Sequence, residues 1–332
     1  MRTPVVINGR AAIRREVGGV ERVARELSTL LPRLDPARYR VATPPRALAH
    51  RLGHVWEQTV LPALPAQIVY CPAMLGPVRS RRNVVCIHDA ASVRHPEWYS
   101  RSYVAYQRRM LPKLARRARL VITVSEFARS EVVDVLGADP ERVEVVRSGV
   151  SDAFHPGADA AAARAALGLD RPYVLTVGSL IARKNLDALT QAADALRREG
   201  IDLVTAGSGR GYMRAGASSV RELGYVDEEL LPGLYAGAAA FTLPSLYEGF
   251  GLPVLEAMAS GVPVVASDRG ALPEVCGNAA VLVDPADPGA LSRAILAVIG
   301  NERMRDAGLA RARTFTWERT ARETDALIER LL

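Results

Sequence analysis

The feature that most limits what this chain can fold into is a regular alternation of short, strand-sized apolar runs with stretches of helical spacing. In the first half the runs fall at 5–7, 41–43, 68–71, 84–88, 121–124 and 143–146; in the second they fall at 174–177, 203–206, 240–243, 262–266 and 281–283. Strands separated by helices pair in parallel, and parallel strands covered on both faces read as continuous apolar runs. The expectation is therefore an α/β protein with two doubly wound parallel sheets in series. Between them, 151–171 holds His155-Pro156-Gly157, an alanine run and Asp170-Arg171-Pro172 without a strand signal, and reads as a linker. The expected domains are 1–165 and 166–316. Beyond them Trp317, Ala321, Leu327, Ile328 and Leu331 form a helical apolar stripe in 317–332 that must dock on a domain.

A chain of 332 residues, 49% of them hydrophobic, can fill a core in each domain. No apolar stretch approaches the ~20 residues of a membrane-spanning helix. The start reads as a first strand and not as a signal peptide, so a cytoplasmic location is expected. Cys71, Cys86 and Cys276 are scattered, without a C-x-x-C pair, which argues against a disulfide framework and against structural zinc. The net charge of +7 comes from arginine spread along the chain, and aromatics are only 5%, so a stacking platform for nucleic acid is poorly supplied. Of 43 basic residues only Lys113 and Lys184 are lysines, which sets Lys184 apart.

Several strand ends carry chemistry. Gly18-Gly19 stands before an amphipathic helix, where backbone N–H groups can face an anion, although a plain turn would read the same way. His88-Asp89 follows a strand and falls at its carboxyl edge, where open α/β sheets place ligands; a core histidine is the alternative. Gly178-Ser179 and Arg183-Lys184-Asn185 follow the first strand of the second half. Two cations there suit a diphosphate, whose charge grows as a sugar bond breaks, while a solvated surface pair is the alternative. The sharpest segment runs from Leu243 to Ser267: strand end, Glu248-Gly249-Phe250-Gly251 turn, helix with Pro253 at its start, a Gly261 stop and another strand. Carboxylates repel a diphosphate, so Glu248 and Glu256 are better placed on hydroxyls, Glu256 on ribose and Glu248 on a sugar.

In these stretches, together with Thr123-Val124-Ser125-Glu126-Phe127 and Asp284-Pro285, the chain resembles the retaining glycosyltransferases of family 4, many of them bacterial mannosyltransferases. The resemblance implies a GT-B fold: two Rossmann-like domains facing a central cleft, with the last helix returning to the N-terminal domain. It implies that Lys184 and a nearby arginine, here Arg183, hold the diphosphate, that Glu256 binds ribose, and that Glu248 and His88 contact the donor sugar. It further implies a loop at Gly18 and Gly19 closing over the phosphates and a base-lining segment at Tyr225 and Val226. Gly178, Ser179, Gly249, Phe250, Gly251 and Leu252 complete the expected donor site.

Two positions depart from the family pattern: Ser179 stands where arginine is common, and Arg147-Ser148-Gly149-Val150 where Pro-Asn-Gly-Val is common. No Asp-x-Asp occurs, in keeping with a metal-independent reaction and no cofactor. The resemblance favours GDP-mannose as the donor, with UDP- and dTDP-sugars as alternatives, and a glycan, lipid-linked or small-molecule acceptor is expected. Domain closure would bring His88 and the glycine loop onto the donor, and the acceptor hydroxyl would attack from the face that the diphosphate leaves. Arg101, Arg108, Arg109, Lys113, Arg116, Arg117 and Arg119, interleaved with Tyr103, Tyr106, Met110 and Leu111, suggest a surface for peripheral contact with anionic lipid; a solvated arginine-rich face is the alternative. The rival classes are an epimerase or phosphorylase on the same fold, a non-catalytic nucleotide-sugar sensor and a nucleic-acid binder.

Overall fold

The structure is a computed structural model that describes residues 4–45, 53–209, 211, 213 and 220–332. The chain divides into two compact units, one of Met1–Arg94, Arg101–Gly149 and Trp317–Leu332, the other of His95–Ser100 and Val150–Thr316.

The first unit is built on a parallel sheet of β1 (Val5–Asn8), β2 (Tyr39–Ala42), β3 (Ile68–Cys71), β4 (Asn83–Cys86), β5 (Leu120–Thr123) and β6 (Val143–Val145), in the order β2-β1-β3-β4-β5-β6. Val5 stands opposite both Tyr39 and Ile68. Every residue of β1, β3, β4 and β5 is buried, which is why these strands read as unbroken apolar runs. The chain steps to one side of β1 for β2 and to the other for β3, so the carboxyl ends of β1 and β3 flank a topological switch.

The second unit repeats the plan with β7 (Tyr173–Val177), β8 (Asp202–Ala206), β9 (Arg221–Glu222), β10 (Ala240–Leu243), β11 (Val264–Ser267) and β12 (Val281–Val283), all parallel, in the order β12-β11-β10-β7-β8-β9. Here the switch lies between β7 and β10. Each strand expected from the sequence forms within a residue or two of its expected place. Among the strands of the described residues β9 was missed, and its two exposed, charged residues give no apolar signal.

The expected linker is different. Asp159 caps a helix at Ala160–Leu167, Gly168 closes it, and buried Ala163 packs into the second unit beside Gly233. A boundary after residue 165 would cut that helix; the units part between Gly149 and Val150 instead. The excursion of His95–Ser100 into the second unit was not foreseen either. The last helix, Trp317–Glu329, groups with the first unit, with Trp317, Ala321 and Ile328 buried. Asp325 accepts from Arg38 (2.7 Å) and from the Tyr39 hydroxyl (2.6 Å), and Thr320 donates to the Arg147 carbonyl (2.8 Å).

Helix Arg101–Arg117 turns Val104, Gln107, Leu111 and Leu114 inward, and Tyr106 and Met110 pack on the same core. Its outward face carries Arg101, Arg108, Arg109, Lys113, Arg116 and Arg117, while Tyr106, Met110 and Leu111 of the suspected lipid-facing surface serve the core instead. Among the described residues no helix is long and apolar enough to cross a membrane.

Candidate active site

Strands β7 and β10 are neighbours, with Val174 opposite Ala240, so the loops leaving their carboxyl ends rise side by side at the switch of the second sheet. The β7 loop carries Gly178, Ser179, Arg183 and Lys184. Gly178 lies at φ +155°, and a Cβ there would stand 2.8 Å from Lys184 Cε, so the lysine stem crosses bare backbone. Gly207, just after β8, has φ +148°, and a Cβ on it would fall 1.9 Å from the Gly178 carbonyl oxygen. Two strand-end loops thus meet backbone to backbone, which only glycine allows. Asn185, in the left-handed region at φ +55°, donates to the carbonyls of Pro244 (3.2 Å) and Pro285 (2.9 Å) and stitches this turn to the loops after β10 and β12.

The β10 loop brings Glu248 onto both cations. Lys184 Nζ pairs with Glu248 Oε1, and Arg183 Nη1 lies 3.4 Å from Oε2 while donating to the Tyr247 carbonyl at 2.9 Å. Ser245 Oγ donates to Glu248 Oε1 (2.8 Å), and Ser267 Oγ donates in turn to the Ser245 carbonyl (2.6 Å). Lys184 is only 6% exposed and the Arg183 side chain 17%, which removes the reading of these two cations as a solvated surface pair. Burial alone would raise the Glu248 pKa. The charges of Lys184 and Arg183 and the hydrogen bonds from Lys184 and Ser245 outweigh it and hold the carboxyl at about 2. Glu248 is thus an anion that keeps two cations in place in a low-dielectric setting.

Glu256 lies in helix Leu252–Ala259, which starts at Gly251 with φ +112°. It is buried and accepts from the Tyr235 hydroxyl at 2.8 Å, and Tyr235 is itself packed edge-on to Phe154. Glu248 thus meets Lys184 and Arg183, and Glu256 meets Tyr235. Phe250 packs edge-on to Phe315 at 6.1 Å, and Leu252 and Val226 are buried. These three side chains are packed in the interior and leave only backbone groups to meet a ligand. Tyr225 is 39% exposed. Ser245, Ser267 and Tyr235 were missed, because a buried hydroxyl looks in sequence like that of any other small or aromatic residue.

In the first unit His88 follows β4, buried, with Nε2 at 2.9 Å from the Pro72 carbonyl and its backbone N–H 3.2 Å from Met74 Sδ. A carbonyl only accepts, so Nε2 carries the proton and Nδ1 is the acceptor of the neutral ring. Burial lowers the His88 pKa against the opposing pull of the Pro72 bond, Asp89 and Glu21. Gly18 caps helix Gly19–Leu34, but its N–H donates to Glu21 Oε2 at 3.1 Å, and Arg14 holds the other Glu21 oxygen at 3.0 Å. The Gly18 amide expected to face a phosphate is taken by the chain's own carboxylate, the half of a capping box that the N3 acid Glu21 supplies. Ser125 accepts from the Ala128 N–H (3.0 Å), the plain N-cap role.

Residues 61–154 match the pattern of Glycosyltransferase Family 4, and residues 171–301 that of Glycosyl transferases group 1. Over 297 residues the chain is 34% identical to O-antigen chain mannosyltransferase B of Escherichia coli, covering 83% of this chain and 78% of that protein. The chain belongs to glycosyltransferase family 4. This family 4 enzyme is also 34% identical over 257 residues to the MMP alpha-(1->4)-mannosyltransferase of Mycolicibacterium hassiacum, covering 71% of the chain and 58% of that relative. It is 40% identical over 232 residues to the D-inositol 3-phosphate glycosyltransferase of Geodermatophilus obscurus, covering 62% and 51%, so it spans little more than half the length of these two relatives. Among solved structures, sucrose-phosphate synthase from Thermosynechococcus elongatus superposes with a TM-score of 0.75 at 20% identity, covering 99% of both chains. Anabaena HepE in complex with UDP-glucose gives 0.73 at 18% identity, covering 99% of this chain and 100% of that one. The fold is GT-B, and the protein is a glycosyltransferase of the hexosyltransferase kind.

Proposed function

We propose that this glycosyltransferase moves mannose from GDP-mannose to a glycan or lipid-linked acceptor, with retention at the anomeric carbon and without a metal. The observation that carries the reading is the buried Lys184–Glu248–Arg183 cluster at the switch of the second sheet. Two cations fixed there can take the charge that a departing nucleoside diphosphate gathers; at an effective ε of ~20, a unit pair at ~4 Å is worth roughly 4 kcal/mol. Lys184 and Arg183 turn to the diphosphate, Glu248 is released to accept from a sugar hydroxyl, and Glu256 accepts from ribose. His88 offers Nδ1 to a hydroxyl of the sugar. The choice of mannose is supported by two relatives named as mannosyltransferases.

The reaction needs no enzymic nucleophile. The C1–O bond to the diphosphate breaks, the acceptor oxygen bonds to C1 on the same face, and the hydroxyl proton passes to a phosphate oxygen of the leaving group. Transfer from GDP-mannose, UDP-glucose and a dTDP-hexose, each with and without EDTA, tests donor and metal together, and proton NMR of the product reads the anomer. An α-linked product, formed equally with EDTA, is expected; a β-linked product would remove retention. Any lipid contact would be electrostatic, through the outward face of helix Arg101–Arg117. Sedimentation with anionic vesicles should then be abolished at high salt.

A further inference from the structure

The segment His95–Ser100 is packed in the second unit although its flanks on both sides belong to the first. Through the short turn Pro96–Trp98 the His95 ring stacks on Trp98, with centroids 4.2 Å apart and planes 22° apart. Both rings meet Tyr247 edge-on, at 5.7 and 6.4 Å. Edge-to-face pairs at such separations are favoured by ring electrostatics as well as by area. Tyr99 extends the contact as an antiparallel bridge to Met213, and His95 Nδ1 lies 3.0 Å from Glu97. Trp98, Tyr99 and Tyr247 are all buried.

The position of Tyr247 gives this packing its consequence. Its carbonyl accepts from Arg183 Nη1 at 2.9 Å, and the next residue is Glu248. A ring held by two others fixes the rotamer and backbone of its residue, and with them the carbonyl that aims Arg183 and the start of the Glu248 side chain. We propose that His95 and Trp98 are positioning residues for the transfer reaction, which grip Tyr247 so that Arg183 and Glu248 stand where the transition state needs them. This rests on the roles proposed above for Arg183 and Glu248. Both rings act through Tyr247. Arg183 and Glu248 are asked to act most strongly as the C1–O bond breaks and charge gathers on the diphosphate, so loss of the grip should fall on kcat more than on donor binding.

The test compares Trp98→Ala, Trp98→Phe and His95→Ala with the wild type, using whichever nucleotide sugar the wild type turns over, at saturating acceptor, with Tm recorded for each. Trp98→Ala should lower kcat and kcat/KM together by roughly 10- to 100-fold, with donor KM within about threefold. Trp98→Phe keeps a ring and should recover most of the loss. His95→Ala, at a partly exposed position, should lose about three- to tenfold. Wild-type kcat in folded Trp98→Ala, or a loss confined to donor KM, would overturn the positioning role and leave the rings as packing alone. If Trp98→Ala does not fold, His95→Ala decides: a loss in kcat supports the role and an unchanged kcat overturns it. A wild type that transfers from no nucleotide sugar would instead sink the functional reading on which the role rests.

Discussion

A buried lysine survives as a cation only beside an anion, and here Lys184 has Glu248. Removing the carboxylate from such a pair typically costs 3–5 kcal/mol, because the cation is left buried without a partner. Glu248→Gln should therefore lower Tm markedly, and a nucleoside diphosphate, by supplying the missing anion, should restore more stability to this variant than it adds to the wild type. Differential scanning calorimetry with and without ligand reads both effects. The acid dependence follows from the same pair. The folded pKa of Glu248 lies below its ordinary 4.5, at about 2, so the stabilisation is complete above pH 4.5 and is lost as pH falls through about 2. Tm measured from pH 5 to 2 should fall steeply in the wild type and less steeply in Glu248→Gln. Lysine rarity and the acid-glycine turn made Lys184 and Glu248 legible in the sequence. Ser245 and Tyr235 were not, since their value lies in hydrogen bonds set by tertiary neighbours. Glu21 was overlooked because a glycine pair before a helix drew the reading to an outside anion, when the N3 acid was already in the chain.

At the level of elements, parallel strands were easy to find because burial on both faces writes an unbroken apolar run, whereas the edge strand β9 is short, charged and silent. The alanine-rich linker concealed a helix because its inward residue is only Ala163, too small to mark an apolar face. No periodicity announced the aromatic contacts of His95–Ser100, which depend on where a loop lands. At the site Gly207 lies against the Gly178 backbone with no room for a side chain. Gly207→Ala places a methyl group 1.9 Å from a carbonyl oxygen at φ +148°, a combined clash and backbone strain of about 3 kcal/mol. Tm should fall on the order of 5–10 °C for a unit of this size. Nucleotide affinity should weaken as well, since the β7 loop must move away from β8; isothermal titration would detect it, and an unchanged affinity would show that this approach does not shape the site.

For the molecule as a whole, the terminal helix Trp317–Glu329 is a staple of the first unit, tied through Asp325 to Arg38 and Tyr39 at the end of the chain's first hairpin-free βαβ passage. Deleting 317–332 should leave the second unit's sheet formed but unfold the first, seen as separate calorimetric transitions where one is lost or shifted downward; coincident loss of both would mean that the units do not fold apart. Family membership, fold and the buried ion cluster all point to one activity, and the donor is the part most directly open to measurement. The decisive experiment is thermal stabilisation of the wild type by GDP, UDP, dTDP, ADP and CMP and their sugars, repeated on Lys184→Ala and Glu256→Ala. A ligand at a hundred times its Kd adds about 2.7 kcal/mol, which shifts Tm by several degrees. Selective stabilisation by GDP and GDP-mannose, lost in both variants, is the expected result. Stabilisation by another nucleotide would change the donor and keep the site, whereas equal stabilisation of wild type and both variants would contradict the site itself.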